Sequence, residues 1–289
     1  MNKVALTLEY HGCRLAYTVT GSGTPVLFIQ GTGVHGNGWM PQVEALAAQY
    51  NCISFDNRGM GGSQPIGCSI TVEQMADDVI ALMDAQGWDS AHIVGHSLGG
   101  LIALQLAIAN RARVRSLSLL CTFAKGSLVT QFSWPMFWRG LRTYIGTRRM
   151  RRRAFLEMVM PHEMLASTDS EKLAASLAPL FGHDLADHPP VVMKQLAALR
   201  RYDATSKLST LAGLPTLVVS ATQDCVAKRE FGQAIAAGIP GSRYVEIPKA
   251  AHGVTIQCAD RINSLLRDHF SSVESKRSVR ETSNCPSSH

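Results

Sequence analysis

A single serine lies between glycines at the point where a buried strand is expected to end. Residues 95–99 read Gly-His-Ser-Leu-Gly and match G-x-S-x-G, with the apolar runs Ala91–Val94 before and Leu98–Ala109 after. Glycine at both ends of the motif permits a sharp strand–turn–helix in which larger side chains would collide. Such a turn exposes the Ser97 hydroxyl and directs the first N–H groups of the helix towards whatever it attacks. The spacing favours a nucleophilic serine; a glycine-rich turn with an incidental serine is the alternative.

A serine hydroxyl needs a base to become a nucleophile, and the base needs an acid to orient it. The motif predicts the chain order serine, acid, histidine. Asp224 follows the predicted strand Thr216–Ser220, and His252 follows the predicted strand Arg243–Ile247. Because ligands bind at the carboxyl ends of parallel strands, we expect these side chains to meet the serine at that edge of the sheet. His96, next to the serine, is expected to point elsewhere in the tight turn.

Attack on an acyl carbon also requires hydrogen-bond donors for the developing oxyanion. The first expected donor is the backbone N–H of Leu98, which begins the helix after the serine. The second is expected from the loop after the predicted strand Val26–Gln30, where Gly31 and Gly33 leave the backbone accessible. Thr32, between them, is the predicted source of the second N–H.

The elements that must position these groups alternate along two parts of the chain. Short apolar strands alternate with helical patterns up to about residue 123 and again from residue 214, which predicts a mostly parallel sheet with helices on both faces. Residues 124–210 show helical patterns without a strand-like run. We therefore expect an α/β core formed by residues 1–123 and 211–271, a helical cap formed by 124–210, and a polar, disordered tail at 272–289.

The amino-acid composition is that of a globular protein and argues against a membrane-spanning or disulfide-rich one. The 289 residues are 46% hydrophobic and 17% charged, and seven cysteines are scattered without a C-x-x-C pair. No apolar stretch approaches 18 residues, the N-terminus lacks a signal-peptide pattern, and the cysteine usage fits a reducing compartment. We therefore predict a cytoplasmic protein without a membrane span, a disulfide framework or a zinc site. The sequence indicates no oligomeric state.

The formal charge of +6 is concentrated in one place. Seven arginines lie within residues 139–153. Such a cluster is typical of a solvated helix face, and binding of nucleic acid, a membrane surface or an acidic substrate is the alternative. No nucleic-acid-binding motif accompanies the arginines, so no nucleic-acid partner is predicted.

Four motifs together resemble the α/β-hydrolase fold superfamily, in its helical-cap branch of serine esterases and lactonases. They are FIQGTG at the predicted oxyanion loop, FDNRGMGGS after the next strand, GHSLGG at the serine, and the contexts of Asp224 and His252. The resemblance covers residues 1–123 and 211–271. It implies Ser97 as nucleophile, His252 as base and Asp224 as orienting acid, with no metal and no organic cofactor. One departure is Gln30-Gly31, where relatives often carry His-Gly, which affects the oxyanion geometry.

The resemblance implies acyl transfer to water from a small, largely apolar ester or lactone. Carbon–carbon hydrolysis, acyl transfer to an alcohol, cofactor-free perhydrolysis or haloperoxidation, and a non-catalytic small-molecule binding protein stay open as alternatives. A serine at this position disfavours the dehalogenases and epoxide hydrolases, which carry aspartate. The predicted substrate pocket comprises Gly31, Phe123, Trp134, Phe137 and Trp138.

Overall fold

The computed structural model describes residues 3–64, 70–129 and 134–283. Within these residues eight strands form one sheet, in the order β1-β2-β4-β3-β5-β6-β7-β8. The strands are β1 (Lys3–Tyr10), β2 (Cys13–Gly21), β3 (Thr24–Ile29), β4 (Tyr50–Phe55), β5 (Ala91–His96), β6 (Val114–Leu120), β7 (Thr216–Ala221) and β8 (Arg243–Ile247). β1 and β2 form an antiparallel hairpin, β2 pairs antiparallel with β4, and the other pairs are parallel.

Helices surround this sheet and also fill the interval between β6 and β7. They are α1 (Met40–Leu46), α2 (Val72–Ala85), α3 (Leu98–Ala109), α4 (Trp134–Arg142), α5 (Arg148–Val159), α6 (His162–Ser167), α7 (Ser170–Phe181), α8 (Val192–Arg201), α9 (Arg229–Gly238), α10 (Val254–Gln257) and α11 (Ala259–Ser283). Shorter 3-10 segments lie at Gly36–Trp39, Arg111–Arg113, Gly126–Leu128 and Thr205–Leu211.

The centre of the sheet is buried on both faces. Every residue of β5 and β7 is buried, and α3, which is apolar around most of its circumference, packs against β5, β6 and α2. Strands covered on both faces carry continuous apolar runs, which is why these segments lack alternation in the sequence. The strand that precedes Ser97 is therefore a rigid part of the core.

The start of α2 is fixed by its N-cap residue, Thr71. The Thr71 hydroxyl accepts a hydrogen bond from the Gln74 backbone N–H at 3.0 Å. The Gln74 side chain donates to Asp78 at 3.3 Å, one turn further along. Thr71 therefore caps the N-terminus of α2, while the Gln74 side chain hydrogen-bonds to Asp78.

A buried ion pair joins α2 to the turn after β4. Arg58 and Asp78 are both fully buried, and the Arg58 Nε–H donates to Asp78 Oδ2 at 3.0 Å. Burial raises the pKa of Asp78 more than the Arg58 guanidinium lowers it. The guanidinium also donates to the backbone carbonyl of His11, so that the pair ties α2, the β1–β2 turn and the β4 end together.

α4–α8, which we call the helical insertion, contain a second apolar cluster separate from the main core. Its buried members come from α5, α7 and the segment after each: Leu156, Val159, Met160, Ala174, Leu177, Phe181 and Leu185. Val34, in the loop after β3, and Ile256, in α10, pack against this cluster. The insertion therefore rests on the edge of the sheet at which β3 and β8 end.

The end of the chain differs from the disordered tail expected from residue 272. α11 continues to Ser283, because Val273 is buried and Glu274 forms an ion pair with Arg115 at 3.1 Å. The remaining part of the expected tail, residues 284–289, lies outside the described residues. Among the helices described, none is both long and apolar enough to cross a lipid bilayer.

Candidate active site

Ser97 occupies a strained turn between β5 and α3. Its backbone lies at φ 55° and ψ −120°, a conformation that is unusual for a residue with a side chain. The turn is fixed from below, since the Ser97 N–H donates to the Leu120 carbonyl at 3.1 Å and the Thr122 hydroxyl donates to the Ser97 carbonyl at 2.6 Å. A strained residue persists only where its surroundings over-determine it, and such residues cluster at functional sites.

The flanking glycines are required by close backbone contacts. A Cβ on Gly95 would collide with the Gly99 carbonyl oxygen, and a Cβ on Gly99 would collide with the Ile29 carbonyl oxygen at the end of β3. Both obstacles are backbone, which cannot move aside as a flexible side chain can. The two glycines therefore let α3 start directly against β3 and β5.

Three side chains that are distant in the sequence form one hydrogen-bonded chain. The Ser97 hydroxyl donates to His252 Nε2 at 3.0 Å across 155 residues, and His252 Nδ1–H donates to Asp224 Oδ2 at 2.7 Å across 28 residues. Asp224 follows β7 and His252 follows β8, so that both lie at the carboxyl edge of the sheet. This is the edge at which the sequence predicts that they meet.

The Asp224 carboxylate is held on both sides. Its second oxygen, Oδ1, accepts hydrogen bonds from the backbone N–H groups of Val226 and Ala227, each at 2.8 Å. The side chain itself is fully buried. Because these two donors fix the carboxylate plane, Oδ2 presents a fixed acceptor to the histidine.

His96 supports the histidine from its other side. The His96 Nε2–H donates to the backbone carbonyl of His252 at 2.9 Å, and the two rings lie 4.8 Å apart. Burial, assisted by the neighbouring His252, lowers the pKa of His96 to about 3, so that its ring is neutral near pH 7. The sequence predicts that His96 points elsewhere in the tight turn, but no local pattern indicates that it would hold the loop of His252.

Cys121 lies beside this group at the end of β6 without offering a second nucleophile. The side chain is fully buried, and burial together with the Asp224 carboxylate raises the pKa of the thiol well above its ordinary value. A thiol that stays protonated is a poor nucleophile.

The two predicted oxyanion donors come from neighbouring segments. Leu98 is the first residue of α3, where an N–H has no acceptor within the helix. In the loop after β3, the N–H of Gly31 donates to Gln30 Oε1 at 2.9 Å, and the N–H of Gly33 donates to Gln195 Oε1 at 3.0 Å. The Thr32 N–H between them makes no hydrogen bond within the part of the chain that the structure describes.

Gln30 uses its side chain to occupy the first N–H of the loop that follows β3. Its side chain turns back to accept from the next N–H, and its backbone carbonyl accepts from the Asn57 side chain at 2.8 Å. The Gly31 N–H is therefore already occupied. Thr32 is the residue of this loop whose N–H stays available for a substrate oxygen.

A cavity of about 280 Å³ lies over Ser97 and is closed by the helical insertion. Ser97, His252, Thr32 and the predicted pocket residues Gly31 and Phe123 line it. The remaining apolar lining comes mostly from the insertion and the loops beneath it: Val34, Val129, Phe155, Met158, Val159, Phe181, Val192, Leu196, Leu199, Val226 and Ile256. No Asp, Glu, Lys or Arg occurs among the described lining residues.

The prediction that Trp134, Phe137 and Trp138 line this pocket is wrong. These side chains are 64%, 46% and 56% exposed and lie on the outer side of α4. The insertion instead turns Gly140 and the residues after α4 towards the cavity, including Tyr144, whose ring stacks on His188 at 3.8 Å. Aromatic content alone cannot show which side of a helix faces a cavity.

Several of the seven arginines of residues 139–153 pair with acids on the outside of the insertion. Arg142 pairs with Glu157 at 2.7 Å, and Arg148 pairs with Asp187 at 2.9 Å. Arg152 pairs with Glu171 at 2.8 Å. These contacts agree with a solvated helix face, and none of the seven arginines lines the described cavity.

A more open hollow of about 540 Å³ lies against β1, β2 and β4, next to Asp56. It contains none of the predicted site residues. Asp56 instead fixes the turn after β4, since its carboxylate accepts from the N–H groups of Gly36 at 2.8 Å and Gly62 at 2.9 Å. The chemistry-bearing groups therefore belong to the smaller, apolar cavity.

Comparison with known proteins agrees with this architecture. RutD of Azorhizobium caulinodans, named as a carbamate hydrolase, is 29% identical over 258 residues, which cover 87% of this chain and 93% of RutD. BpoC of Mycobacterium tuberculosis, named as a non-heme bromoperoxidase, is 28% identical over 269 residues, with 90% and 98% covered. The crystal structure of the enol-lactonase from Burkholderia xenovorans LB400 superimposes with a TM-score of 0.76 at 25% identity, covering 92% of this chain and 100% of the enol-lactonase.

The family assignment rests on most of the chain. The family model described as alpha/beta hydrolase fold matches residues 24–257, which run from β3 to the end of α10 and include the turn at Ser97 as well as Asp224 and His252. The chain therefore belongs to the alpha/beta hydrolase fold family.

Proposed function

We propose that this chain is a serine hydrolase that cleaves a carboxylic ester or lactone of a small, neutral, largely apolar substrate. The observation that carries the proposal is the continuous hydrogen-bonded chain from Asp224 through His252 to Ser97, which ends in an apolar cavity. Nucleophile, base and orienting acid at these distances form the constellation that acyl transfer requires.

In the acylation step, Ser97 Oγ attacks the carbonyl carbon while its proton passes to His252 Nε2. The imidazolium that forms is stabilised by the buried Asp224 carboxylate at Nδ1. The carbonyl oxygen becomes an oxyanion, for which the N–H groups of Leu98 and Thr32 are the proposed donors. Collapse of this intermediate breaks the bond to the alkoxy oxygen, which takes the proton from His252 and leaves as the alcohol.

In the deacylation step, water attacks the acyl group on Ser97. His252 Nε2 takes one proton from the water and returns it to Ser97 Oγ as the acyl–oxygen bond breaks. The acid is released, and the starting hydrogen bonds are restored. The net reaction adds one water across the ester bond and needs no electron acceptor.

The cavity supports the choice of a neutral substrate. An apolar lining favours apolar groups through desolvation, whereas an ionic substrate would lose its hydration without a partner charge. The pairing of Arg142, Arg148 and Arg152 with surface acids removes the main argument for an anionic substrate. We propose that the helical insertion acts as the cap that excludes water and selects the substrate.

The names of the relatives do not identify the bond that is cleaved, since one is named as a carbamate hydrolase and another as a non-heme bromoperoxidase. An activity panel is therefore needed. A panel of p-nitrophenyl esters with acyl chains of two to eight carbons, lactones, aryl carbamates and 1,3-diketones separates the reactions. A peroxide-dependent halogenation assay completes it. We expect turnover of short to medium esters or lactones to exceed the other activities.

The test of the mechanism is Ser97→Ala, measured with the best ester of the panel. We expect kcat to fall by roughly 10⁴-fold or more, because triad members act as a unit. Ser209→Ala, at an exposed serine between the insertion and β7, is the matched control and should be unchanged. Ester hydrolysis by Ser97→Ala within tenfold of the unmodified enzyme would refute the mechanism. Absence of turnover on the whole panel would favour a binding protein.

A further inference from the structure

Gly33 connects the sheet edge to the helical insertion. We define the oxyanion loop as residues 31–33, directly after β3. The Gly33 N–H donates to Gln195 Oε1 on α8 at 3.0 Å, across 162 residues, and the Gly33 carbonyl accepts from His183 Nε2–H at 2.8 Å. Both side chains belong to the chain segment between β6 and β7. The backbone of this one residue is therefore held on both sides by that segment.

These contacts act on the peptide groups that follow Thr32. Gly33 has φ +73°, so that the loop turns sharply at this residue. At the other end, the Gly31 N–H is held by Gln30 Oε1 at 2.9 Å. With the groups before and after it fixed, the Thr32 N–H has little freedom of direction. Loss of the Gln195 contact frees the Gly33 N–H, which belongs to the peptide group directly after Thr32.

Gln195 is an unusual residue for its position. It is fully buried on the inner side of α8, whose neighbouring side chains Val192, Leu196 and Leu199 line the apolar cavity. Its Nε2 has no hydrogen-bond partner among the described residues, and a buried amide donor without a partner destabilises a fold. An apolar side chain would pack here without that cost, so the advantage of glutamine lies in its contact with Gly33.

We propose that Gln195 is a positioning residue that aligns the oxyanion loop, so that the Thr32 N–H faces the carbonyl oxygen of a substrate on Ser97. This inference rests on the proposed function. It makes the oxyanion hole depend on the insertion: the hole is complete only while α8 packs on the edge of the sheet. Substrate selection and transition-state stabilisation are then coupled through one hydrogen bond.

The test compares Gln195→Met, which keeps the length of the side chain and removes the acceptor, with Gln195→Glu, which keeps an acceptor oxygen. Removal of a whole oxyanion donor typically costs 10²–10³-fold in kcat, and a misaligned donor costs less. For Gln195→Met we expect kcat to fall about 10–100-fold with KM within about threefold. We expect Gln195→Glu to recover at least a third of the lost kcat on a logarithmic scale.

The affinity for a trifluoromethyl ketone inhibitor reports on the oxyanion hole itself, whereas a general loosening of the fold would not change kcat and this affinity by the same factor. The ketone forms a hemiketal oxyanion on the serine, so its affinity should fall by the same factor as kcat in Gln195→Met. Met193→Ala, at an exposed residue two positions earlier on α8, is the matched control and should leave both quantities unchanged. His183→Leu removes the second contact with Gly33 and should change kcat in the same direction, which covers the case of a Gln195→Met that does not fold.

The outcomes separate this inference from the proposed function. If Gln195→Met keeps kcat and inhibitor affinity within twofold, or raises KM alone, Gln195 has no positioning role, even where Ser97→Ala is inactive. If Ser97→Ala itself keeps its activity, the proposed function fails and the inference fails with it. A matched loss of kcat and inhibitor affinity at constant KM supports the inference.

Discussion

Asp224→Asn tests the role of the acid with almost no change in shape. In the wild-type protein Oδ1 accepts two backbone N–H groups, from Val226 and Ala227, and Oδ2 accepts the histidine Nδ1–H. An asparagine can present an oxygen to only one of these sides. If the amide nitrogen faced the backbone, two N–H donors would lose their acceptor, at about 1–3 kcal/mol for each unsatisfied group.

The favoured orientation therefore keeps the amide oxygen towards the backbone and turns the NH₂ group towards His252. Nδ1 must then accept, so the ring carries its proton on Nε2, where it faces Ser97 Oγ and cannot take the serine proton. We expect kcat to fall by about 10³–10⁴-fold, the scale seen when a triad histidine is held in the wrong tautomer. At about 1.36 kcal/mol for each factor of ten, this is a loss of about 4–5.5 kcal/mol of transition-state stabilisation.

The assay is steady-state hydrolysis of the best p-nitrophenyl ester. KM should change little, because Asp224 does not line the described cavity. Asp260→Asn, an exposed acid in the first turn of α11, is the matched control. A decrease in kcat of less than tenfold in Asp224→Asn, with the fold intact by circular dichroism, would contradict the assigned role of the acid.

Three further predictions concern the scaffold of the site. Gly99→Ala places a methyl group against the Ile29 carbonyl oxygen at the end of β3, so we expect the thermal unfolding midpoint to fall by several degrees or folding to fail. In the control Gly140→Ala the new Cβ meets nothing within 4 Å, and the midpoint should not fall. Asp78→Asn leaves a buried guanidinium without its counter-charge and should cost about 3–5 kcal/mol in urea unfolding, whereas the exposed neighbour Asp77→Asn should cost under about 0.5 kcal/mol. The pKa of His96 is about 3 in the folded chain and about 6.5 in the unfolded chain. Between these values the unfolded chain binds a proton at His96 that the folded chain does not. The free energy of unfolding therefore decreases as the pH is lowered below about 6.5, by up to about 1.4 kcal/mol per pH unit. The loss of stability between pH 7.5 and 4.5 should be smaller in His96→Gln, and an equal loss would contradict this assignment.

The sequence predicts those parts of the site that the backbone itself dictates. A glycine on each side of Ser97 is needed because the backbones of β3, β5 and α3 touch there, and this constraint is visible as a motif. The same turn makes Leu98 the first residue of α3. Asp224 and His252 follow strands, so their meeting at one edge follows from the parallel order of the sheet.

Features set by the packing of distant segments were not predictable in this way. Gln195 contacts Gly33 across 162 residues, and no local pattern distinguishes it from other polar residues of an amphipathic helix. Trp134, Phe137 and Trp138 looked suited to a pocket, but the orientation of α4 decides their exposure.

The disorder expected from residue 272 onwards is not found over residues 272–283, where α11 continues, and the reason is again a contact with a distant segment. The polar composition of this segment predicts disorder. In the structure Glu274 forms an ion pair with Arg115 on the surface of the core, and this contact stabilises the last part of α11.

The most direct measurement of the central claim is covalent labelling of the nucleophile. A fluorophosphonate reacts with an activated serine and adds one phosphonyl group, which intact-mass and peptide mass spectrometry can locate. We predict stoichiometric labelling at Ser97, and none in Ser97→Ala or after inactivation of the base by His252→Ala. Labelling at another residue, or an unlabelled wild-type protein that still hydrolyses esters, would contradict the account.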